Sequence, residues 1–121
     1  MSTTENKPKR IGAALIAVTL LLCFGGLSRI SAQEASTVQI SIKDHRFQPA
    51  QITAPANRPI VIRVKNLDPT PMEFESISLR VEKIVPGNGE ASVNIRALQP
   101  GNYKFFDDFH KDTGNGVLVV K

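Results

Sequence analysis

The sequence predicts an all-β fold, a two-layer antiparallel sandwich of seven to eight short strands, and three observations lead there. Apolar and polar residues alternate with period two through most of the chain after residue 37, and no helical period is sustained. Clusters of Gly, Pro, Asn and Asp recur about every 8–12 residues, the spacing of turns in a β-sandwich. The 121 residues suffice for one domain, and a composition of 41% hydrophobic and 21% charged residues excludes wholesale disorder, collagen-like repeats and a polytopic membrane protein.

The elements follow in order. Residues 1–32 have the pattern of an export leader: Lys7, Lys9 and Arg10, an uncharged run from Ile11 to Leu27, then Ser28-Arg29-Ile30-Ser31-Ala32, with cleavage expected after Ala32. The same run is long enough to act instead as an uncleaved N-terminal anchor helix. A signal or anchor helix is therefore expected at 1–32, a polar linker at 33–37 and the folded domain at 38–121. Val38, Ile40 and Ile42 form one face of a first strand. Lys43-Asp44-His45-Arg46 reads as a loop, and Gln51-Ile52-Thr53 as a short strand. Pro59 to Val64 is β-branched and apolar on both faces at its start, as in a strand buried inside a sandwich. Asn66-Leu67-Asp68-Pro69-Thr70-Pro71 is a loop by its turn residues. Strands are expected at Met72 to Ser76, Leu79 to Val85, Ala91 to Ile95, Tyr103 to Phe106 and Gly116 to Val120, with turns at Pro86-Gly87-Asn88-Gly89 and Gln99-Pro100-Gly101-Asn102.

Charge separates the two parts of the chain. The protein has 15 basic and 11 acidic residues, a formal +4 that would ordinarily suggest nucleic acid. Lys7, Lys9, Arg10 and Arg29 against Glu5 give the leader +3. Subtracting them leaves 11 basic and 10 acidic residues, or +1, on residues 33–121, so a nucleic-acid partner is not expected. The single cysteine, Cys23, lies in the leader run, and residues 33–121 have none. That excludes an internal disulfide, a cysteine-rich zinc site and a thiolate-held cluster.

Three stretches carry a family resemblance: Phe47-Gln48-Pro49 with Ile52 and Pro55; Asn66-Leu67-Asp68-Pro69-Thr70-Pro71-Met72; and Leu98 to Phe106 with His110 and Gly116 beyond. In this order they resemble the cupredoxin superfamily. Glu73-Phe74-Glu75-Ser76, Glu82-Lys83 and Phe109-His110-Lys111-Asp112-Thr113 make the chain most similar to the EfeO-type, iron-permease-associated periplasmic cupredoxin-like proteins. The resemblance implies a Greek-key sandwich, a periplasmic location with the leader as a tether if uncleaved, and an iron or copper ion at the loop end. It also implies a membrane iron permease and other periplasmic uptake components as partners.

In a blue-copper member of that superfamily a histidine from the mid-chain loop and a cysteine, a histidine and a methionine from the C-terminal loop hold the metal. By the resemblance Met72 stands at the first histidine, Asp107 at the cysteine, His110 at the second histidine, and Asn115 or a neighbour at the methionine. No thiolate exists in residues 33–121, so a type 1 copper centre is not expected. The remaining candidate metal ligands are His110, Asp107, Asp108, Met72, Glu73, Glu75 and His45. Carboxylate with imidazole suits iron, Mn2+ or Cu2+, and histidine with methionine suits Cu+.

Strand alternation puts Asp107 on the inward face with Tyr103 and Phe105, and Asp108 outward. Met72 shares a face with Phe74, and Glu73 and Glu75 lie on the other. Two sites follow as alternatives: a core-side set of Met72, Asp107 and His110, or a rim set of Glu73, Glu75, Asp108 and His110. Against both stand plainer roles, with Asp107 and Asp108 as turn formers, Glu73 and Glu75 as solvated charges and Met72 as core filling. The functional expectation is an exported metal-binding protein of a ferrous iron uptake system, which assists Fe2+ oxidation or transfer to a permease. The alternatives are periplasmic copper binding or trafficking and a metal-free interaction module. Binding is expected ahead of catalysis.

Overall fold

The computed structural model describes residues 33–121, together with Ser2 and Gly26. The expected leader, its cleavage point and Cys23 lie outside the described residues. Nine strands form two sheets: β1 (Ser36–Lys43), β2 (Arg46–Gln48), β3 (Gln51–Ala54), β4 (Ile60–Asn66), β5 (Met72–Ser76), β6 (Val81–Val85), β7 (Glu90–Ile95), β8 (Gly101–Asp107) and β9 (Asn115–Val120). One sheet has the order β2-β1-β4-β7, the other β3-β9-β8-β5-β6. The described residues contain no helix.

The period-two pattern produces this layering directly. On β4, Ile60, Ile62, Val64 and Asn66 point inward while Arg63 and Lys65 point to solvent. Ile40 and Ile42 of β1, Phe74 of β5, Phe105 of β8 and Leu118 and Val120 of β9 complete the core from their own alternating positions. Each such side chain, fully buried, contributes roughly 1.5–3 kcal/mol relative to an exposed one.

Three expectations change. The sandwich has nine strands rather than seven or eight, because Arg46, read as loop, begins β2 and pairs with Lys43. The sandwich is not wholly antiparallel: β1 runs parallel to β4, from Ser36 opposite Ile60 to Ile42 opposite Asn66, and β3 runs parallel to β9. Between β1 and β4 the chain crosses to the other sheet to form β3, and a connection that crosses layers returns its strand parallel, as no hairpin can. Finally, the sixth strand begins at Val81 rather than Leu79. Residues 77–80 form a turn in which Arg80 takes a left-handed φ of 57°, and Leu79 is buried in the core from the turn itself.

Candidate metal centre

The β1–β2 hairpin, the β4–β5 loop and the β8–β9 loop bring their polar residues together. The hairpin has a two-residue tip, Asp44-His45, with φ of 51° and 58°, between the paired Lys43 and Arg46. Positive φ at both central residues is the pattern of the tight hairpin turn that favours Asn-Gly or Asp-Gly. His45 thus stands where glycine is preferred.

The β4–β5 loop is built on buried Asn66. Its side-chain amide lies 2.8 Å from the Thr70 carbonyl, 3.3 Å from that of Val85 and 3.2 Å from that of Pro86, and its Oδ1 accepts the Asp68 N–H at 3.0 Å. Asp68 is thereby aimed at the hairpin tip. Its two carboxylate oxygens accept the backbone N–H groups of Asp44 (2.8 Å) and His45 (2.9 Å), and the His45 Nδ1 lies 3.5 Å from Oδ2. Burial pushes the Asp68 carboxyl upward, but the two N–H donors and the nearby His45 and His110 imidazoles outweigh it and hold it below the usual aspartate range.

The β8–β9 loop repeats the motif with a shorter contact. Asp107 is fully buried, and its Oδ1 accepts the N–H groups of Glu73 and Phe109, each at 3.1 Å. Its Oδ2 lies 2.8 Å from the His110 Nδ1. A carboxylate only accepts, so the Nδ1–H donates to it, and the Nε2 edge of the ring is left for another partner. Carboxylate-bound imidazoles of this kind are the usual outer shell of histidine metal ligands. Backbone bonds from Asp107 to Gly114 and from Gly114 to His110, both 2.8 Å, close the loop. A Cβ on Gly114 would lie 2.6 Å from that of Asp107, so only glycine fits there.

The two imidazoles stack, with ring centroids 3.6 Å apart and planes 13° from parallel. The His110 side chain is 27% exposed and that of His45 43%. Nearby in the chain lies a buried aromatic cluster: Phe105 is 4.9 Å from Phe47 and 5.0 Å from Phe74, and Phe74 is paired in register with Asp107.

The remaining candidates separate from this pair. Met72 is buried in the hydrophobic core with Phe74. Glu73 and Glu75, on the other face of β5, gather with Asp108, the residue just after β8, where one oxygen of each lies within 4.8 Å of the others. Lys111 Nζ sits 3.0 Å from Asp108, which raises the lysine's pKa through that hydrogen bond and charge. Partial desolvation and then the charges of Asp108, Glu82 and Glu73 push the Glu75 carboxyl upward. His110 does not join these acids, since its ring is engaged by Asp107 and His45. Of the core-side set, then, Asp107 and His110 are in contact; of the rim set, the three carboxylates are. Asn115 is exposed and donates to the Lys111 carbonyl at 2.8 Å. Asp68 is absent from the sequence-derived set; it reaches His45 across 23 residues, a link that neither periodicity nor a local motif reveals.

Comparison with known proteins is consistent with this architecture. The sequence model of the cupredoxin-like domain matches residues 12–120. An uncharacterized protein of Rickettsia prowazekii, RP394, is 41% identical over 83 residues, 69% of this chain and 66% of that protein, so the match spans just under two thirds of the relative's length. Among solved structures, the metal-binding domain of the Cu(I)-exporting P-type ATPase CopA of Streptococcus pneumoniae superposes with a TM-score of 0.63 at 15% identity, covering 70% of this chain and 84% of that one. Auracyanin A, a blue copper protein of Chloroflexus aurantiacus, superposes with a TM-score of 0.61 at 17% identity, covering 73% of this chain and all of that one. At such identities the likeness is one of fold.

Proposed function

The chain belongs to the cupredoxin-like domain family, and from that premise we propose that it is an exported metal-binding protein, with copper as the ion its histidine end holds best. One observation carries this reading: the partly exposed His110 ring is locked through Nδ1 to buried Asp107, which leaves Nε2 for a metal at the loop end. Imidazole nitrogen binds Cu2+ most tightly among the divalent first-row ions. That two structural neighbours, the metal-binding domain of a Cu(I)-exporting ATPase and a blue copper protein, are copper proteins supports the same choice.

A type 1 centre is not part of the proposal. The position that the resemblance assigns to its thiolate is held by Asp107, whose carboxylate is already occupied by two backbone N–H groups and an imidazole. Bound copper would supply a Lewis-acidic ion without the copper–thiolate bond. His110 would hold it, and Asp107 would keep the ring oriented.

Iron is the second reading, and the cluster of Glu73, Glu75 and Asp108 favours it, since three carboxylates form a hard oxygen set suited to iron. It agrees with a role in ferrous iron uptake beside a membrane permease, to which the EfeO-type resemblance points, and with periplasmic export directed by residues 1–32. Metal analysis of the protein recovered from its native compartment separates the readings. Stoichiometric copper is expected; stoichiometric iron would favour the carboxylate cluster, and a protein that takes up neither ion in titration would be a metal-free interaction module.

A further inference from the structure

We infer that His45, held by Asp68, is the second half of a two-imidazole site, so that one Cu2+ is bound by the Nε2 atoms of His45 and His110 together. The inference rests on reading His110 as a metal ligand and adds its partner and positioning residue. Nothing in sequence spacing links His45 to His110, which are separated by most of the domain and stand on different sheets' connections. Yet each has the same arrangement: an imidazole beside a buried carboxylate that also caps two backbone N–H groups.

Three observations support the pairing. The rings are in direct stacking contact at 3.6 Å, so the two imidazoles belong to one locality. Each Nδ1 is turned toward its own aspartate, at 2.8 Å for His110 and 3.5 Å for His45, which leaves the Nε2 edge of both rings for a ligand. His45 also occupies a left-handed position at a hairpin tip where glycine would be conformationally easier. A non-glycine residue kept in such a conformation marks a place where local stability yields to a side chain's use.

The geometry also says which ring moves. With planes only 13° apart, in-plane lone pairs of the two rings do not converge on a common point. Closing on one ion therefore turns a ring. His110 is fixed by its 2.8 Å bond, whereas His45 is more exposed and more loosely held, so His45 is the ring that turns while Asp68 keeps its backbone N–H in place. Cu2+ is favoured over Cu+ because the donors are nitrogens with carboxylates behind them, without sulfur.

Cu2+ titration of the full chain, with electron paramagnetic resonance to count coordinated imidazole nitrogens, tests this. The variants are H45G, D68N and H110A. H45G suits the turn and so removes the nitrogen without breaking the fold; D68N keeps one oxygen to accept a backbone N–H. Wild type is expected to show two imidazole nitrogens, H45G one, and D68N a Cu2+ affinity about 10–100-fold weaker. Two nitrogens persisting in H45G, or unchanged affinity in both H45G and D68N while H110A loses binding, would overturn the pairing and leave His110 as a ligand. Failure of wild type to bind Cu2+ would overturn both the pairing and the copper reading.

Discussion

Asp107 is a buried carboxylate whose whole environment is arranged around its charge. It has no exposed surface, and two backbone N–H groups and one imidazole donate to it. Removing it would leave the Glu73 and Phe109 N–H groups without their acceptor and free the His110 ring. D107A is accordingly expected to lower stability by roughly 2–4 kcal/mol in urea titration, more than D107N, which still offers one oxygen. Equal losses in the two variants would mean that the N–H acceptors contribute nothing. The inward direction of Asp107 was legible from its alternation with Tyr103 and Phe105, as was its need for compensation. That backbone amides and His110 supply the compensation was not, because the Glu73 N–H comes from a neighbouring strand 34 residues away. Asp68 was still harder to see. In the sequence it is one turn former among several, and only the fold, through Asn66, aims it at the hairpin tip.

Among the elements, β5 and β8 divide the site's chemistry. Asp107 faces the imidazoles and Asp108 the acids, by the same alternation that separates core from solvent along any strand. The acidic face is costly as it stands: Glu75 lies directly opposite Glu82 in the β5–β6 register and close to Glu73 and Asp108. Like charges in opposed positions destabilise a sheet. Because the folded state raises the Glu75 pKa, it holds that proton more tightly than the unfolded chain does, so the penalty is present at neutral pH and fades as pH falls through the raised value. E75Q is expected to raise the melting temperature at pH 7, with the gain shrinking on acidification. A lower melting temperature at pH 7 would indicate that a cation held by the three acids contributes to the fold. The strands were largely legible because each has its own two-residue period. The parallel pairing of β1 with β4 was not, since it depends on a layer crossing that no strand records in its own residues.

At the scale of the molecule, two donor sets stand apart: nitrogen where the β1–β2 hairpin meets the β8–β9 loop, oxygen where Glu73 and Glu75 of β5 meet Asp108. The near-neutral balance of residues 33–121 conceals this separation, and the basic excess of the full chain belongs mainly to residues 1–32. Fold membership is carried by the turn and strand pattern from Ser36 to Val120, whereas the resemblance to blue-copper proteins extends to the ligand positions only as a proposal. A fold can thus be inherited while the chemistry at its loop end is rebuilt from different donors. On the proposed reading the donors are the histidines that face aspartates, and an ion bound by them would stabilise the native state by about 2.7 kcal/mol at a hundredfold excess over Kd. The most direct measurement is thermal unfolding of wild type and H110A with and without added Cu2+. A Cu2+-dependent rise in wild type that is lost in H110A, without blue colour, is the predicted result; an equal rise in both proteins would contradict a site at His110.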